Sequence, residues 1–259
     1  MIAMSDDYTH FGYKKVRRED KASRVGDVFR SVAGRYDVMN DVMSLGSHRI
    51  LKDIAVEVTR ARPGHRVLDL AGGTGDLAAR LAPKVAPDGE IILSDINDAM
   101  LAQGRDRMLD QGLTAIQYAL SDAESLGFAD ATFDIVTMGF GLRNVTNKER
   151  ALTEILRVLK PGGRLVVLEF SKPENNLLAS AYKQYRRLWP HMGKLLANDA
   201  DSYQYLDESI DMHPDAQTLL ASIEDAGFER ARAQPLLGGV VAIHSGIRPR
   251  ANQSSPNTD

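Results

Sequence analysis

The sequence contains no cysteine among its 259 residues. A disulfide framework, a cysteine-ligated zinc site and a thiol nucleophile are therefore excluded together, and the composition fits a reducing compartment. No apolar run approaches the roughly 20 residues that a membrane-spanning helix needs. Residues 1–10 are polar and contain no secretory hydrophobic region, so we expect a cytoplasmic protein.

The chain also lacks a strong charge of either sign. Its 32 Lys and Arg residues stand against 35 Asp and Glu, giving a net charge of −3, which offers no support for broad nucleic-acid binding. Basic residues are concentrated between positions 14 and 24. We interpret this segment as a solvated face, with contact to an anionic membrane as the alternative.

Three patterns of common enzyme classes are missing. No tyrosine is followed by lysine at the Tyr-x-x-x-Lys spacing of short-chain dehydrogenases, and there is no Gly-x-Ser-x-Gly nucleophile elbow. The His-Glu-x-x-His pattern of a metal-binding helix is absent as well. We therefore predict no metal site and no serine hydrolase.

What the sequence does contain is a regular alternation of short apolar runs and amphipathic segments. It predicts strands at 66–70, 90–95, 115–120, 133–138 and 164–170, and helices at 76–85, 98–111 and 148–159. The last of these helices is followed by Lys-Pro-Gly-Gly at 160–163, a stop-and-turn signal. Such alternation is typical of βαβ units in a mostly parallel sheet. Ligands of these sheets bind at the carboxyl ends of the strands.

Helical segments flank this core in the sequence. We predict one domain over 11–247, with a helical cap at 11–62 and a helical insertion at 174–212. The insertion carries an apolar stripe at Leu178, Ala181, Tyr185, Leu188, Met192 and Leu195, interrupted by Pro190. A helix at 214–226 and strands at 228–235 and 239–244 follow. Residues 1–10 and 248–259 are predicted to be disordered, because they are polar or rich in Pro, Asn and Ser.

The most informative segment is 67–76, where an apolar strand passes through a glycine turn into a helix. Its Gly73-x-Gly75-x-x-Ala78 spacing satisfies the dinucleotide-binding pattern, including that of NAD. Asp95 lies 20 residues beyond Gly75 at the end of the second strand, where a carboxylate can accept hydrogen bonds from ribose hydroxyls. The alternative role of Asp95 is to cap the following helix.

Two further acids favour S-adenosylmethionine over NAD. Asp69 directly precedes the glycines, where it either orders the turn or meets a cationic ligand. Asp122 follows the third strand and either accepts from an adenine amino group or acts only as a turn residue. The sequence leaves both pairs of alternatives open.

Several segments resemble known proteins. The turn at 69–76, the segment FDIV at 133–136 and LKPGG at 159–163 resemble class I S-adenosylmethionine-dependent methyltransferases in general. Four narrower segments are similar to the ubiquinone/menaquinone biosynthesis C-methyltransferases: RYDVMND at 35–41, GFGLRNV at 139–145, EFSKP at 169–173 and ANDADSYQYL at 197–206. The resemblance runs from about residue 9 to residue 247.

The resemblance implies a Rossmann-like α/β fold, doubly wound around a mostly parallel seven-stranded sheet with one antiparallel strand. It implies transfer of a methyl group from S-adenosylmethionine to a ring carbon of a polyprenylated quinol. The acceptor would be 2-polyprenyl-6-methoxy-1,4-benzoquinol, demethylmenaquinol or both. Another small-molecule acceptor and a cofactor-binding protein without catalysis are the alternatives. Homo-oligomerisation, transient contact with the inner face of the membrane and association with other quinone-biosynthesis proteins stay open.

The resemblance and the strand ends together indicate the site. The expected cofactor contacts are Asp69, Gly73, Thr74, Gly75, Asp95, Asp122 and Ala123. Arg143 follows the fourth strand and is the catalytic candidate, because its cation would stabilise a phenolate or polarise a water. Arginine itself stays protonated and is not expected to be the base. The alternative role of Arg143 is an ion pair that holds the loop.

The acceptor contacts are less sharply defined. The candidates are Asn144, Asp201 and Tyr203, together with Asp199 and Tyr205. For the two tyrosines, core packing with a hydrogen-bonded hydroxyl is the favoured alternative. His213 is interpreted as a helix-start residue. The apolar stripe of the insertion is interpreted as core packing, with the lining of a prenyl channel as the alternative. Family members often carry serine where this chain has Gly139, so a side-chain contact is lost there.

Overall fold

The computed structural model describes residues 7–32, 40–41, 43–44, 46–197 and 199–250. The chain begins with a hairpin of β1 (Tyr8–Phe11) and β2 (Lys14–Arg17), followed by α1 (Arg18–Val32) and α2 (Ser47–Thr59). Most of the segment 35–41 and residue 198 lie outside the described residues. The same holds for residues 1–6 and 251–259, so the predicted disorder there stays a prediction.

The hairpin corrects the prediction for the N-terminal region. Residues 8–10 are paired with residues 15–17, so the predicted disorder is wrong for them, and the cap is not wholly helical. The hairpin is held by contacts distant in sequence, since the Tyr13 hydroxyl donates to Asp211 Oδ2 at 2.6 Å and the Tyr13 amide to Glu208 Oε2 at 3.1 Å. Strands of only four residues, stabilised by contacts distant in sequence, show too short an alternation of apolar and polar residues to be predicted from the sequence.

The central sheet has seven strands. They are β3 (Arg66–Leu70), β4 (Glu90–Asp95), β5 (Ile116–Leu120), β6 (Phe133–Gly139), β7 (Leu159–Phe170), β8 (Glu229–Leu236) and β9 (Val241–Ile247). Their spatial order is β5-β4-β3-β6-β7-β9-β8. β9 runs antiparallel to both of its neighbours, whereas the other neighbouring pairs are parallel. The predicted doubly wound sheet with one antiparallel strand is confirmed.

Helices cover both faces of the sheet. They are α3 (Asp76–Val85), α4 (Asp98–Asp110), α5 (Lys148–Val158) and α9 (Ala216–Asp225), together with α2. Successive residues of β3 point to opposite faces: Val67 belongs to one buried cluster with Leu81 of α3, and Leu68 belongs to another with Leu152 of α5. Both faces of the strand are therefore buried, which explains why the parallel strands read as continuous apolar runs.

The stop-and-turn signal predicted at residues 160–163 forms a bulge within β7 rather than a separate turn before it. β7 already pairs at Leu159 with Phe133, and the register then shifts so that Arg164 pairs with Ile135. Gly162 adopts a φ of +83° within this irregularity, a conformation that favours glycine. Its amide donates to Arg248 O at 2.9 Å, and Arg248 Nη1 donates to Arg157 O at 2.7 Å. The predicted disorder is therefore wrong at Arg248.

The predicted helical insertion is confirmed and consists of α6 (Asn176–Arg186), α7 (Trp189–Ala197) and α8 (Ala200–Met212). Pro190 lies in the first turn of α7, a position that tolerates proline because the first amides of a helix have no helical partner. Trp189 and Tyr203 pack with Met43 in a buried cluster, which fixes the insertion beside the N-terminal cap. Among the described residues, no helix is both long and apolar enough to cross a bilayer.

The topology determines where a ligand can bind. The strand order reverses at β3, which has β4 on one side and β6 on the other. The carboxyl ends of these three strands are Leu70, Asp95 and Gly139. The crevice outside such a reversal is the usual ligand site of an open α/β sheet.

Candidate active site

The glycine turn after β3 is held open by its backbone conformation. Ala71, Gly73 and Gly75 adopt φ angles of +51°, +56° and +82°. The Gly75 amide donates to Gly72 O at 2.9 Å, and the Gly72 amide donates to Ser94 O at 3.0 Å. The turn therefore crosses the end of β4 with little side chain in the way, and α3 begins directly after it.

Asp69 supports this turn from below. It is fully buried, its Oδ2 accepts from the Ala78 amide at 3.0 Å, and its Oδ1 accepts from Thr137 Oγ1 at 2.8 Å. Burial raises the pKa of the Asp69 carboxyl to about 7. These contacts tie β3 to α3 and β6, and Asp69 does not line the cavity beside the turn. The hydrogen bonds of Asp69 therefore support the first of its two predicted roles, which is to order the glycine turn.

Asp95 is fixed at the end of β4 with its carboxylate against the turn. Its Oδ2 accepts from the Gly73 amide at 2.9 Å, and its Oδ1 accepts from the Asn97 amide at 2.8 Å. Burial raises the pKa of this carboxyl. The α4 cap is Asn97, whose Oδ1 accepts from the amides of Ala99 and Met100. The alternative that Asp95 itself caps this helix is therefore wrong.

A cavity of about 430 Å3, which we call the turn cavity, lies above these strand ends. Four of the predicted cofactor residues line it: Gly73, Asp95, Asp122 and Ala123. Thr74 and Gly75 do not, because the Thr74 hydroxyl is buried near Arg107 Nη1 at 3.3 Å and Gly75 starts α3. Gly139 also lines the cavity, and a Cβ there would lie 2.9 Å from Leu77 Cδ1.

Sequence reasoning missed several residues of the turn cavity. Ile96 and Met100 contribute apolar wall next to Asp95, and no spacing rule distinguishes them from core residues. Helix α1 covers the opposite side, because Asn97 Nδ2 donates to Gly26 O at 3.0 Å. The cap thus forms part of the site.

The basic segment at 14–24 is only partly a solvated face. Lys21 is 5% exposed and donates to Val145 O at 3.2 Å. Burial lowers the pKa of its ammonium to about 8. Arg18 lines the turn cavity. The predicted solvated face is therefore wrong for Lys21, whose burial depends on the loop after β6 that packs over α1.

A second cavity, of about 290 Å3 and here called the apolar cavity, lies between the cap, the insertion and the sheet. Leu51, Phe170, Leu206 and Val241 contribute to its wall. Phe29 and Phe140 line both cavities, so the two spaces are neighbours. Phe140 has a φ of +57°, an uncommon conformation for a bulky residue and one that occurs most at functional sites.

Arg143 lies in a short 3-10 turn after β6 and lines the apolar cavity. Its Nη1 is 3.2 Å from Glu169 Oε1 and also donates to Phe140 O, while its backbone amide donates to Glu169 Oε2 at 3.1 Å. The guanidinium carbon is 5.3 Å from the centre of the Phe170 ring. The ion pair predicted as its alternative role is present, and the same side chain forms part of the cavity wall.

The candidate acceptor residues separate into two groups. Asn144 lines the turn cavity, and its Oδ1 accepts from the Tyr205 hydroxyl at 3.0 Å, while Tyr205 lines the apolar cavity. Tyr203 is 2% exposed and belongs to the core of the insertion, and Asp201 is exposed. Neither of these lines a cavity. Asp199 caps α8 by accepting from the Ser202 amide at 3.0 Å.

The apolar stripe of the insertion is interpreted from the sequence as core packing, with the lining of a prenyl channel as the alternative, and in the structure its residues divide between these two roles. Leu178 and Tyr185 line the apolar cavity, Met192 packs on the core of the insertion, and Leu188 is 55% exposed. His213 is buried before α9 and does not line either cavity, and burial lowers its pKa to about 2. Asp215 rather than His213 caps α9.

Two titratable residues of α2 that line the apolar cavity, His48 and Lys52, were not predicted. Lys52 forms a buried ion pair with Asp76, the first residue of α3. The His48 ring forms a hydrogen bond with Asp41. A single histidine in an amphipathic helix carries no distinguishing pattern, so sequence reasoning had no means of selecting it.

The sheet order, the glycine turn and the acid at the end of β4 together define the class I S-adenosylmethionine-dependent methyltransferase fold. Structural comparison agrees with this class. A methyltransferase dependent on the same cofactor from Aquifex aeolicus superimposes with a TM-score of 0.58 at 18% identity, covering 76% of this chain and 89% of that one. At this identity the likeness concerns the fold alone.

Sequence comparison defines the family. The model of the ubiE/COQ5 methyltransferase family matches residues 16–248, and the chain belongs to this family. The ubiquinone/menaquinone biosynthesis C-methyltransferase UbiE of Ectopseudomonas mendocina is 57% identical over 243 residues, 93% of this chain and 95% of the relative. The UbiE protein of Teredinibacter turnerae is 56% identical over 248 residues, 95% of this chain and 100% of the relative. The chain is therefore an S-adenosylmethionine-dependent methyltransferase.

Proposed function

We propose that the protein transfers a methyl group from S-adenosylmethionine to a ring carbon of a polyprenylated quinol. Its relatives are named ubiquinone/menaquinone biosynthesis C-methyltransferases. The acceptor is 2-polyprenyl-6-methoxy-1,4-benzoquinol, demethylmenaquinol or both. The observation that carries this proposal is the common wall of the two cavities at Phe29 and Phe140. A cofactor in the turn cavity and an aromatic acceptor in the apolar cavity would lie side by side.

The turn cavity suits the cofactor chemically. Asp95 presents a carboxylate whose position is fixed by two backbone amides, which matches the hydroxyls of a ribose. Ile96, Met100 and Ala123 supply apolar surface for the adenine ring, with Asp122 as the acceptor for its amino group. When bound, the sulfonium supplies the methyl group and the leaving group.

Replacing Asp95 with alanine is expected to weaken cofactor binding by about 1–3 kcal/mol for each lost hydrogen bond to the charged acceptor. The Gly73 amide also loses its partner, so the turn loosens in the same variant. Calorimetric titration with S-adenosylmethionine measures the change. Asp98→Ala is the control, since Asp98 is exposed at the start of α4 and outside the cavity. Unchanged affinity in Asp95→Ala would refute the ribose assignment.

The apolar cavity suits a substituted aromatic ring. A ring carbon is a weak nucleophile until a neighbouring hydroxyl loses its proton and its charge spreads onto the ring. Arg143 presents a fixed cation in this cavity, and such a preorganised donor stabilises the phenolate more strongly than water does. Asn144 and Tyr205, which bond to each other at the boundary of the two cavities, position the ring hydroxyl.

The proposal is tested by incubating the purified protein with labelled S-adenosylmethionine and a quinol that lacks the methyl group. We expect label in the quinol, with mass spectrometry placing the added methyl on a ring carbon. Simple catechols and unprenylated phenols serve as controls and should accept little label. Tight cofactor binding without transfer to any acceptor would contradict an enzymatic role, and preferential transfer to another acceptor would contradict the quinol assignment.

We also propose that the enzyme acts in the cytoplasm and touches the inner membrane surface transiently, since its substrate is lipid-soluble. Leu178 and Leu237 line the apolar cavity and are 36% and 52% exposed, and the adjacent Leu177 is 80% exposed. These three residues form an apolar rim at the cavity. Lys183, Arg187 and Lys194 are exposed in the segment 176–197, and this segment contains no acidic side chain, which favours an anionic lipid surface.

Replacing Leu177 with glutamine is expected to weaken binding to anionic phospholipid vesicles roughly 10- to 100-fold, since burial of a leucine is worth roughly 1.5–3 kcal/mol and about 1.4 kcal/mol corresponds to a factor of ten. Co-sedimentation with vesicles measures the binding. Leu120→Gln is the matched control, because Leu120 is 64% exposed at the β5 end of the sheet, outside the rim. Equal losses in the two variants would contradict the rim as the contact surface.

A further inference from the structure

The proposed reaction requires a group that takes a proton from the acceptor hydroxyl. A candidate has to lie in the apolar cavity, carry a free lone pair at neutral pH and be held in one orientation. The titratable side chains among the described residues of this cavity are His48, Lys52, Arg143, Tyr182, Tyr185 and Tyr205. Each can be tested against these requirements.

Five of the six do not meet them. Arg143 stays protonated, and the Lys52 amine is already occupied by its buried ion pair with Asp76. Burial raises the pKa of Tyr182 and of Tyr205 above the ordinary value for a phenol, so both are neutral hydroxyls. The Tyr185 hydroxyl donates to Met43 O at 3.2 Å.

His48 meets the requirement for a neutral base. It is 6% exposed, and burial lowers the pKa of its imidazole below the ordinary value. The ring is held by Asp41, whose Oδ1 lies 2.8 Å from His48 Nε2. Hydrogen bonds from Arg49 and His48 lower the pKa of Asp41 to about 2. An ionised carboxylate only accepts, so Nε2 carries the proton and Nδ1 carries the lone pair.

The other nitrogen of the His48 ring, Nδ1, is buried and lacks a hydrogen-bond partner among the residues that the structure describes. A buried acceptor without a partner is costly, and a ligand hydroxyl would remove that cost. The charged groups that act on His48 are Asp41, Lys52 and Asp76. His48 lines the apolar cavity together with Arg143 and with Phe140, which also lines the turn cavity.

We infer that His48 is the general base of the reaction and that Asp41 positions it. The inference rests on the proposed function. His48 Nδ1 accepts the proton of the acceptor hydroxyl, and the electron pair of the O–H bond stays on the oxygen and spreads into the ring. The ring carbon forms a bond to the methyl carbon, and the C–S bond breaks with its electron pair on sulfur.

The protons then balance as follows. The methylated ring carbon loses its hydrogen as a proton to water, which restores the aromatic ring. The imidazolium of His48 returns its proton to the ring oxygen. Each turnover therefore converts one quinol and one sulfonium into methylated quinol, thioether and one proton, and His48 is regenerated. Arg143 stabilises the intermediate oxyanion from the same cavity.

The first test compares His48→Asn with the wild type on a short-chain quinol and S-adenosylmethionine. We expect kcat to fall 10²–10⁴-fold, the usual contribution of a general base, with little change in cofactor affinity. His191→Asn is the control, since His191 is exposed on α7. A wild type that transfers no methyl would refute the proposed function itself. An active wild type with His48→Asn within fivefold of it would overturn only the inference.

The second test measures proton transfer without turnover. A nitrophenol with an alkyl tail is bound to the protein at a pH below the pKa of the free probe. The wild type should show phenolate absorbance, and His48→Asn should bind the probe as the neutral phenol. Phenolate absorbance that persists in the variant would overturn the assignment, because a merely structural histidine leaves the protonation of the probe unchanged.

Asp41→Asn keeps the inference falsifiable if His48→Asn does not fold. The Asp41 side chain is 36% exposed, so this variant should fold. Loss of the carboxylate frees the ring to rotate and to change tautomer, and we expect kcat to fall at least tenfold with reduced phenolate absorbance of the bound probe. Wild-type values for both quantities in a folded Asp41→Asn variant would contradict the positioning role.

Discussion

Replacing Arg143 with alanine is expected to lower kcat on the quinol by about 10²–10³-fold, the usual cost of removing one preorganised oxyanion donor. The guanidinium has a fixed position, because Glu169 and the Phe140 carbonyl hold it from one side and Phe170 packs against it. Cofactor affinity should change little, since Arg143 lines the apolar cavity and not the turn cavity. Single-turnover methylation and calorimetric titration measure the two quantities separately.

Two further variants make the result specific to Arg143. Arg143→Lys keeps the charge and loses the planar fork, so its kcat should lie between those of the alanine variant and the wild type. Arg105→Ala removes an arginine that pairs with Asp106 on the surface and should leave kcat unchanged. A loss confined to cofactor affinity in Arg143→Ala would instead make Arg143 a cofactor-binding residue.

The sheet could be predicted from the sequence because its physical cause is local and repeated. Strands buried on both faces must be apolar along their length, and the helices between them are amphipathic and capped. The bounds of β3, β4 and α3 agree with the prediction to the residue. The hairpin at residues 8–17 lacks both features, and its stability comes from Glu208 and Asp211, almost 200 positions away.

The site could be predicted only where a local sequence motif, such as the glycine turn or a strand end, determines the position of the residue. Asp69 and Asp95 both stand at strand ends, yet Asp69 faces α3 and β6 while Asp95 faces the turn cavity. Tyr203 and Tyr205 are two positions apart on one helix, so they point to different sides: the first to the core and the second to the apolar cavity. Which side chain faces the cavity depends on which elements pack on each face of the sheet or helix. That packing is determined by contacts between distant segments, which the spacing of residues within one segment does not reveal.

The apolar cavity illustrates the same limit on a larger scale. Its walls include residues of α1, α2, β7, α6, α8 and β9, which are distant in sequence and have no common spacing. The resemblance to quinone methyltransferases indicated an acceptor, whereas the residues that surround it follow from how cap and insertion close over the sheet. His48 and Lys52 of α2 were both missed for this reason.

Glu169→Ala is expected to lower the free energy of unfolding by about 3–5 kcal/mol, the usual cost of removing one partner of a buried ion pair. Glu169 is fully buried, and its carboxylate accepts from the Arg143 side chain at 3.2 Å and from the amides of Arg143 at 3.1 Å and Phe170 at 2.9 Å. Alanine leaves the cation and both amides without their acceptor. Urea unfolding followed by circular dichroism measures the change.

The chain offers an internal comparison for this prediction. Glu57 and Lys84 form an ion pair of 2.7 Å on the surface, with the Glu57 side chain 74% exposed. Glu57→Ala should therefore cost less than about 1 kcal/mol, although it breaks the same kind of bond. A double variant, Arg143→Met with Glu169→Gln, should recover part of the stability lost in Glu169→Ala, because no unpaired charge stays buried. Equal losses in Glu57→Ala and Glu169→Ala would mean that the buried pair stabilises the loop no more than a solvated one. Arg143 would then need another explanation for its fixed position.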